Sequence, residues 1–203
     1  MTPVTLRGVV RYYAVDRESE LALVQRLRAG EREAFDEVYG CFNARLFGFL
    51  VRLARSRDVA ADLLEETWLR LVTHAARLAA DTRLGPWLFT VARHLHVSYC
   101  RSRAFEESGA TDAVGLWPNA FHASPFERTA ASELERRIEA ALATLPVMFR
   151  EVLLLVAVEG LRPAEAAAVC GVSPETLRQR LKRARDMLAS RLEPAQPRAK
   201  VRV

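Results

Sequence analysis

Long apolar runs are missing from this chain. No stretch reaches the roughly eighteen consecutive apolar residues that would span a bilayer, and residues 1–15 lack an apolar core followed by a small-residue cleavage site. No membrane insertion is expected, and a cytoplasmic location is. Cysteine is scarce as well: Cys41, Cys100 and Cys170 are odd in number and far apart. That excludes a disulfide framework and agrees with a reducing compartment. A Gly-rich phosphate loop, a nucleophile elbow and paired catalytic carboxylates are all absent, so neither an enzyme nor a cofactor is expected. His94, His96 and Cys100 lie close in sequence, but on a helix His94 and His96 do not face each other. His96 and Cys100 do share a face, yet two ligands make no zinc site, and His74 or His122 would have to complete it. No metal is expected.

Half of the 203 residues are hydrophobic, enough to bury a core in one domain or two small ones. Alanine, leucine and arginine dominate, β-branched runs are short, and the fold class is all-α. The most informative stretch is Gly160–Leu192, which reads as two helices joined by a tight turn. Leu177, Leu181, Ala184 and Leu188 recur on one helical face, with Arg178, Gln179, Arg180, Lys182, Arg183 and Arg185 pointing elsewhere. Ser173 is a good N-cap, Pro174 suits the first helical position, and Gly171 suits the turn. This is a helix-turn-helix pattern, whose second helix would lie in the major groove. From Ser173 to the end, nine basic residues face three acidic ones, a net +6 in a chain whose total is +5. The basicity is local, as phosphate contact requires.

Ahead of that tail, helices are predicted over 20–29, 31–55, 59–76 and 86–103. Gly30 stops the first, Asp58 is a candidate N-cap for the third and Pro86 opens the fourth. The third carries Leu63, Leu64, Thr67, Trp68, Leu71 and Val72 inward, with Asp62, Glu65, Glu66 and Arg70 outward. The fourth turns Trp87, Leu88, Val91, Leu95 and Tyr99 inward, leaving Arg93, His94, Arg101 and Arg103 largely off that face. Residues 104–123 contain Gly109, Gly115 and Pro118 without a sustained period and read as a flexible linker. A capping box at Ser124-Pro125-Phe126-Glu127 restarts the helical pattern. Another helix starts at Pro146. The expected organisation is an N-terminal segment (1–19), a helical domain (20–103), a linker (104–123), a helix-turn-helix domain (124–192) and a tail (193–203).

Five segments, in order, carry a family likeness: LRAGEREAFDEVY (Leu27–Tyr39), DLLEETWLRL (Asp62–Leu71), PWLFTVARHL (Pro86–Leu95), LPVMFREVLLLVAVEGL (Leu145–Leu161) and GVSPETLRQRLKRAR (Gly171–Arg185). Together they resemble an RNA polymerase sigma factor of the extracytoplasmic-function (ECF) group, in the sigma-70 family. The resemblance implies that the first domain is a four-helix region 2 bundle and the second a region 4 domain. It implies docking of Asp62, Leu63, Glu65, Glu66 and Arg70 on the clamp helices of the RNA polymerase core. It also implies capture of the opened minus-ten strand by Arg83, Trp87, Arg93, His94 and Arg101. Thr176, Arg178, Gln179, Lys182 and Arg183 would read the minus-thirty-five duplex. The linker resembles the family's acidic connector, and the family implies an anti-sigma factor as a further partner beside the core enzyme and promoter DNA.

The residues support these roles in their own terms. Single-strand capture needs positive charge and planar or hydrogen-bonding groups, which Arg83, Arg93, His94 and Arg101 supply. The chain departs from the family at Glu65 (usually Gln), His94 (Asn), Ser98 (Asp) and Arg162 (Ser or Thr). The last removes an N-cap worth roughly 1 kcal/mol, which Pro163 partly offsets. A two-domain helix-turn-helix regulator with a helical sensory domain fits the tail equally well. It does not account for the acidic and apolar stripe on the third helix or for the basic fourth helix.

Overall fold

A computed structural model describes residues 17–108 and 133–192. Among the described residues every regular element is helical: α1 (Arg17–Arg28), α2 (Arg32–Ala54), α3 (Arg57–His74), α4 (Leu84–Ser108), α5 (Glu133–Ala143), α6 (Val147–Leu153), α7 (Pro163–Cys170) and α8 (Pro174–Leu192). A single 3-10 turn, Ala75–Arg77, follows α3, and α6 continues through a wider π turn at Leu154–Val158.

Helices α1 to α4 form the first domain. Leu23, Val24 and Leu27 of α1 pack with Val38, Phe42, Leu46, Phe49, Leu50 and Leu53 of α2, all buried. Phe49 meets Phe89 of α4 edge-on at 5.2 Å between ring centres, the arrangement that ring quadrupoles favour. Trp68 of α3 is buried and its indole N–H donates to Asn43 Oδ1 at 3.0 Å, so its polar edge is satisfied.

Two helix starts differ from expectation. α3 is capped by Ser56, whose Oγ accepts from Val59 N–H at 3.4 Å, and Asp58 falls inside the first turn. α4 begins at Leu84, two residues before Pro86, because Glu20 reaches across from α1 and accepts the Leu84 N–H at 3.1 Å. A carboxylate there satisfies one orphan amide and complements the helix dipole. α4 also runs to Ser108, beyond the expected boundary at residue 103.

In the second domain, Leu177, Leu181 and Ala184 of α8 are buried as the spacing required, with Leu188 packed at the edge. Gly171 closes α7 in the left-handed region at φ 64°, a conformation that costs glycine little. Ser173 caps α8, its Oγ accepting from Thr176 N–H at 3.1 Å. Arg162 stands where a Ser or Thr cap was missed. An arginine has no acceptor, but Glu165 reaches back and takes the Arg162 N–H at 2.9 Å, supplying half of a capping box. The expected box at residues 124–127, and the linker from residue 109 onward, lie outside the described residues.

The two domains touch. α7 lies against α4, and α6 reaches α2. Their apolar residues join in one continuous core.

Candidate nucleic-acid interface

The outer face of α8 is basic and exposed. Arg178, Gln179, Lys182, Arg183 and Arg185 are all exposed, while Leu177, Leu181 and Ala184 anchor the opposite side. Arg178 forms an ion pair with Glu175, and Gln179 Nε2 donates to the same carboxylate at 3.3 Å. The Arg178 hydrogen bond holds the Glu175 carboxyl below its usual range. Thr176 is half-buried and engaged by the Ser173 cap. Arg137 of α5 donates to the Leu192 carbonyl at 2.8 Å, tying down the far end of α8.

The α4 group is less uniform than its sequence implied. His94 and Arg101 are exposed. Trp87 is half-buried and packs against the core. Arg83 pairs with Glu20 at 2.9 Å and with Glu165 of α7 at 3.4 Å. Arg93, expected off the covered face, has a side chain only 11% exposed and meets Glu151 of α6 at 2.9 Å. The fourth helix is covered from two sides, by α2 and α3 on one and by α7 on the other. Its buried line is therefore Leu84, Leu88, Phe89, Ala92, His96 and Cys100, rotated from the expected stripe of Trp87, Leu88, Val91, Leu95 and Tyr99.

His96 and Cys100 do share a face, with Sγ and Nε2 3.6 Å apart. Burial pushes the Cys100 thiol up to about 11 and the His96 imidazole down to about 4. Burial likewise raises the Cys170 thiol, as does the nearby Glu151 carboxylate. These are protonated thiols and a neutral ring, fit for packing rather than reaction. Among the described residues no three His, Cys, Asp or Glu side chains could hold a metal ion.

On α3, Asp62, Glu65 and Arg70 are exposed and Glu66 is half-buried, paired with Arg70 at 2.7 Å. Leu63 is buried, so it contributes packing under that face. Val72, expected inward, is exposed, and so is Leu69. Asp62, Glu65, Leu69 and Val72 fall at i, i+3, i+7 and i+10, one stripe of the helix. This leaves an exposed stripe that is both apolar and acidic. Its signal was in the sequence: Leu69 and Val72 share the period of the acidic residues.

Two segments match known families: residues 38–106 match sigma-70 region 2, and residues 135–188 match sigma-70 region 4. The ECF RNA polymerase sigma factor EcfG of Rhodopseudomonas palustris is 36% identical over 147 residues, 72% of this chain and 78% of the relative. The chain belongs to the ECF group of RNA polymerase sigma factors. A second relative, RNA polymerase sigma factor CarQ of Myxococcus xanthus, is 31% identical over 165 residues, 81% of this chain and 92% of the relative. Among solved structures, the sigma factor RpoE of Bartonella quintana, in complex with the anti-sigma factor NepR, matches at a TM-score of 0.57 and 25% identity. That alignment covers 88% of this chain and 97% of RpoE. As a sigma factor, this chain is a DNA-binding transcription initiation factor. The match of its first half to region 2 disfavours a regulator with a helical sensory domain. No described helix of this sigma factor is long and apolar enough to cross a membrane.

Proposed function

We propose that this sigma factor binds core RNA polymerase in the cytoplasm, directs it to a set of promoters and helps melt them, without itself catalysing a reaction. The observation that carries the reading is the presence of both sigma regions in order, the second presenting an exposed basic helix. In this reading the first domain corresponds to residues 20–103 and the second to 124–192. The acidic and apolar stripe of α3 docks on the clamp helices of the core. Arg83, Trp87, Arg93, His94 and Arg101 hold the opened minus-ten strand. Thr176, Arg178, Gln179, Lys182 and Arg183 read the minus-thirty-five duplex. An anti-sigma factor is a further partner, supported by the likeness to RpoE in its NepR complex.

The test is run-off transcription with purified core on a genomic library, with and without the sigma factor. Discrete promoters should appear only in its presence. A Glu65→Lys, Glu66→Lys variant should weaken core binding at unchanged helicity. Unaltered affinity of that variant would remove α3 from the interface.

A further inference from the structure

Among the described residues four ion pairs cross between the two domains, and they are one-sided. Arg45 pairs with Glu159 at 3.0 Å, Arg52 with Glu139 at 2.8 Å, Arg83 with Glu165 at 3.4 Å and Arg93 with Glu151 at 2.9 Å. In all four the cation belongs to the first domain and the carboxylate to the second. The sorting holds for the carboxylate pairs: Arg150 of the second domain, also at this interface, lies on the backbone carbonyls of Arg52 and Leu53, and Arg83 shares its charge with Glu20 of its own domain at 2.9 Å. A basic face shaped for a polyanion, with a carboxylate face laid over it, sorts such pairs this way.

Two of these arginines, Arg83 and Arg93, belong to the proposed strand-capturing group. The other two extend the same covered face along α2, where Arg45 and Arg52 stand seven residues apart, about two helical turns. We propose that Arg45 and Arg52, together with Arg83 and Arg93, form a nucleic-acid phosphate track on the first domain, and that Glu139, Glu151, Glu159 and Glu165 of the second domain occupy it in place of phosphates. Strand and second domain then compete for the same four guanidiniums. This inference rests on the strand-capture reading above and enlarges it by two residues and a competitor.

The pairs suit a competitor better than a permanent bond. The Glu151 and Glu159 side chains are 1% and 4% exposed, and ion pairs so deeply buried gain little net stability because desolvation offsets attraction. Phosphates of a flexible strand release counterions as they bind, which supplies a drive that the glutamates lack. The outer face of α8 makes none of these contacts. Duplex reading is therefore open in this arrangement while the track is shut.

The full chain tests this directly. A Glu151→Gln, Glu159→Gln variant removes two carboxylates and leaves every proposed DNA contact in place. Its affinity for a fluorescein-labelled mixed-sequence single-stranded oligonucleotide should rise about fivefold or more, and its radius of gyration by small-angle scattering should increase. The more exposed Glu139→Gln variant should shift both in the same direction, by less, and guards against misfolding of the double variant. Adding Arg45→Ala and Arg52→Ala to the opened variant should abolish the gain and make the salt slope shallower by about 1.4, since each of the two lost single-strand phosphate contacts contributes about 0.7. An oligonucleotide affinity unchanged by the Gln substitutions, or a gain that survives loss of Arg45 and Arg52, overturns the proposal. Failure of the strand-capture reading looks different. In that case holoenzyme carrying His94→Ala and Arg101→Ala gives a normal permanganate footprint of the promoter bubble, whatever the oligonucleotide does.

Discussion

Arg150, in the second domain, caps a helix of the first: its Nη1 donates to the Arg52 carbonyl at 2.9 Å, at the C-terminal end of α2. The same guanidinium donates to the carbonyls of Leu53 at 3.4 Å, Leu142 at 3.1 Å, Ala143 at 3.1 Å and Leu145 at 2.8 Å. Burial, and then the nearby Arg55, lower it to about 10, still charged at neutral pH.

Removing Arg150 should therefore unsettle both domains. Arg150→Ala strands several buried carbonyls and opens a cavity, at a cost of about 3 kcal/mol or more. Arg150→Lys should recover less than half of that, because a compact ammonium cannot span five acceptors in a planar fork. Urea denaturation of the three proteins measures both. Full recovery by lysine would mean that charge, not geometry, is what matters there.

A pH dependence follows from His96. The imidazole is held at about 4 instead of 6.5, first by burial and then by Arg150 and Arg93. The unfolded chain takes up a proton below pH 6.5 that the folded chain refuses until about 4, so stability falls as pH drops through that window. The whole interval is worth about 3 kcal/mol. Urea midpoints at about pH 7.5 and 5 should fall more steeply for wild type than for His96→Leu. Parallel slopes would show that His96 does not carry the effect.

Arg55 offers a stabilising change. It sits past the end of α2 at φ 58°, a left-handed conformation that a side chain resists, and its N–H closes on the Val51 carbonyl at 2.9 Å. Arg55→Gly keeps that bond, relieves the backbone and removes a like charge from beside Arg150. Stability should rise by about 1 kcal/mol, seen as a higher thermal midpoint. A lower midpoint would mean that Arg55 contributes packing that outweighs its backbone strain.

On α8, a base-reading residue and a phosphate contact should behave differently. Arg178→Ala should cost about 1–3 kcal/mol and relax preference at one base position, although Arg178 must first leave Glu175. Arg185→Ala should weaken all duplexes alike and lower the salt slope by about one. Binding titrations against single-base operator variants separate the two. Uniform weakening by Arg178→Ala would reassign it to phosphate.

Much of the fold was legible where the chemistry is local. Ser173, Pro174 and Gly171 mark their turn through their own side chains and dihedrals, and the α8 stripe needs only helical period. What escaped depends on residues far away in sequence. The start of α4 is set by Glu20, sixty-four positions earlier. The second covered face of α4 is set by the second domain, where α7 packs on it and Glu151 of α6 holds Arg93. Helical period alone predicts one covered face for α4, and a second neighbour rotates it. Arg45 and Arg52 were missed for the same reason, since each lies on an otherwise ordinary amphipathic helix and gains meaning only from Glu159 and Glu139.

The Arg150 contact also bears on how the chain matures on the ribosome. The Arg52 carbonyl waits for a side chain ninety-eight residues downstream, and at ordinary rates of synthesis that interval lasts about 5–20 s. During that time α2 must end in water, with its last carbonyls hydrated. The nascent first domain therefore waits with this end of α2 uncapped until the second domain has been made.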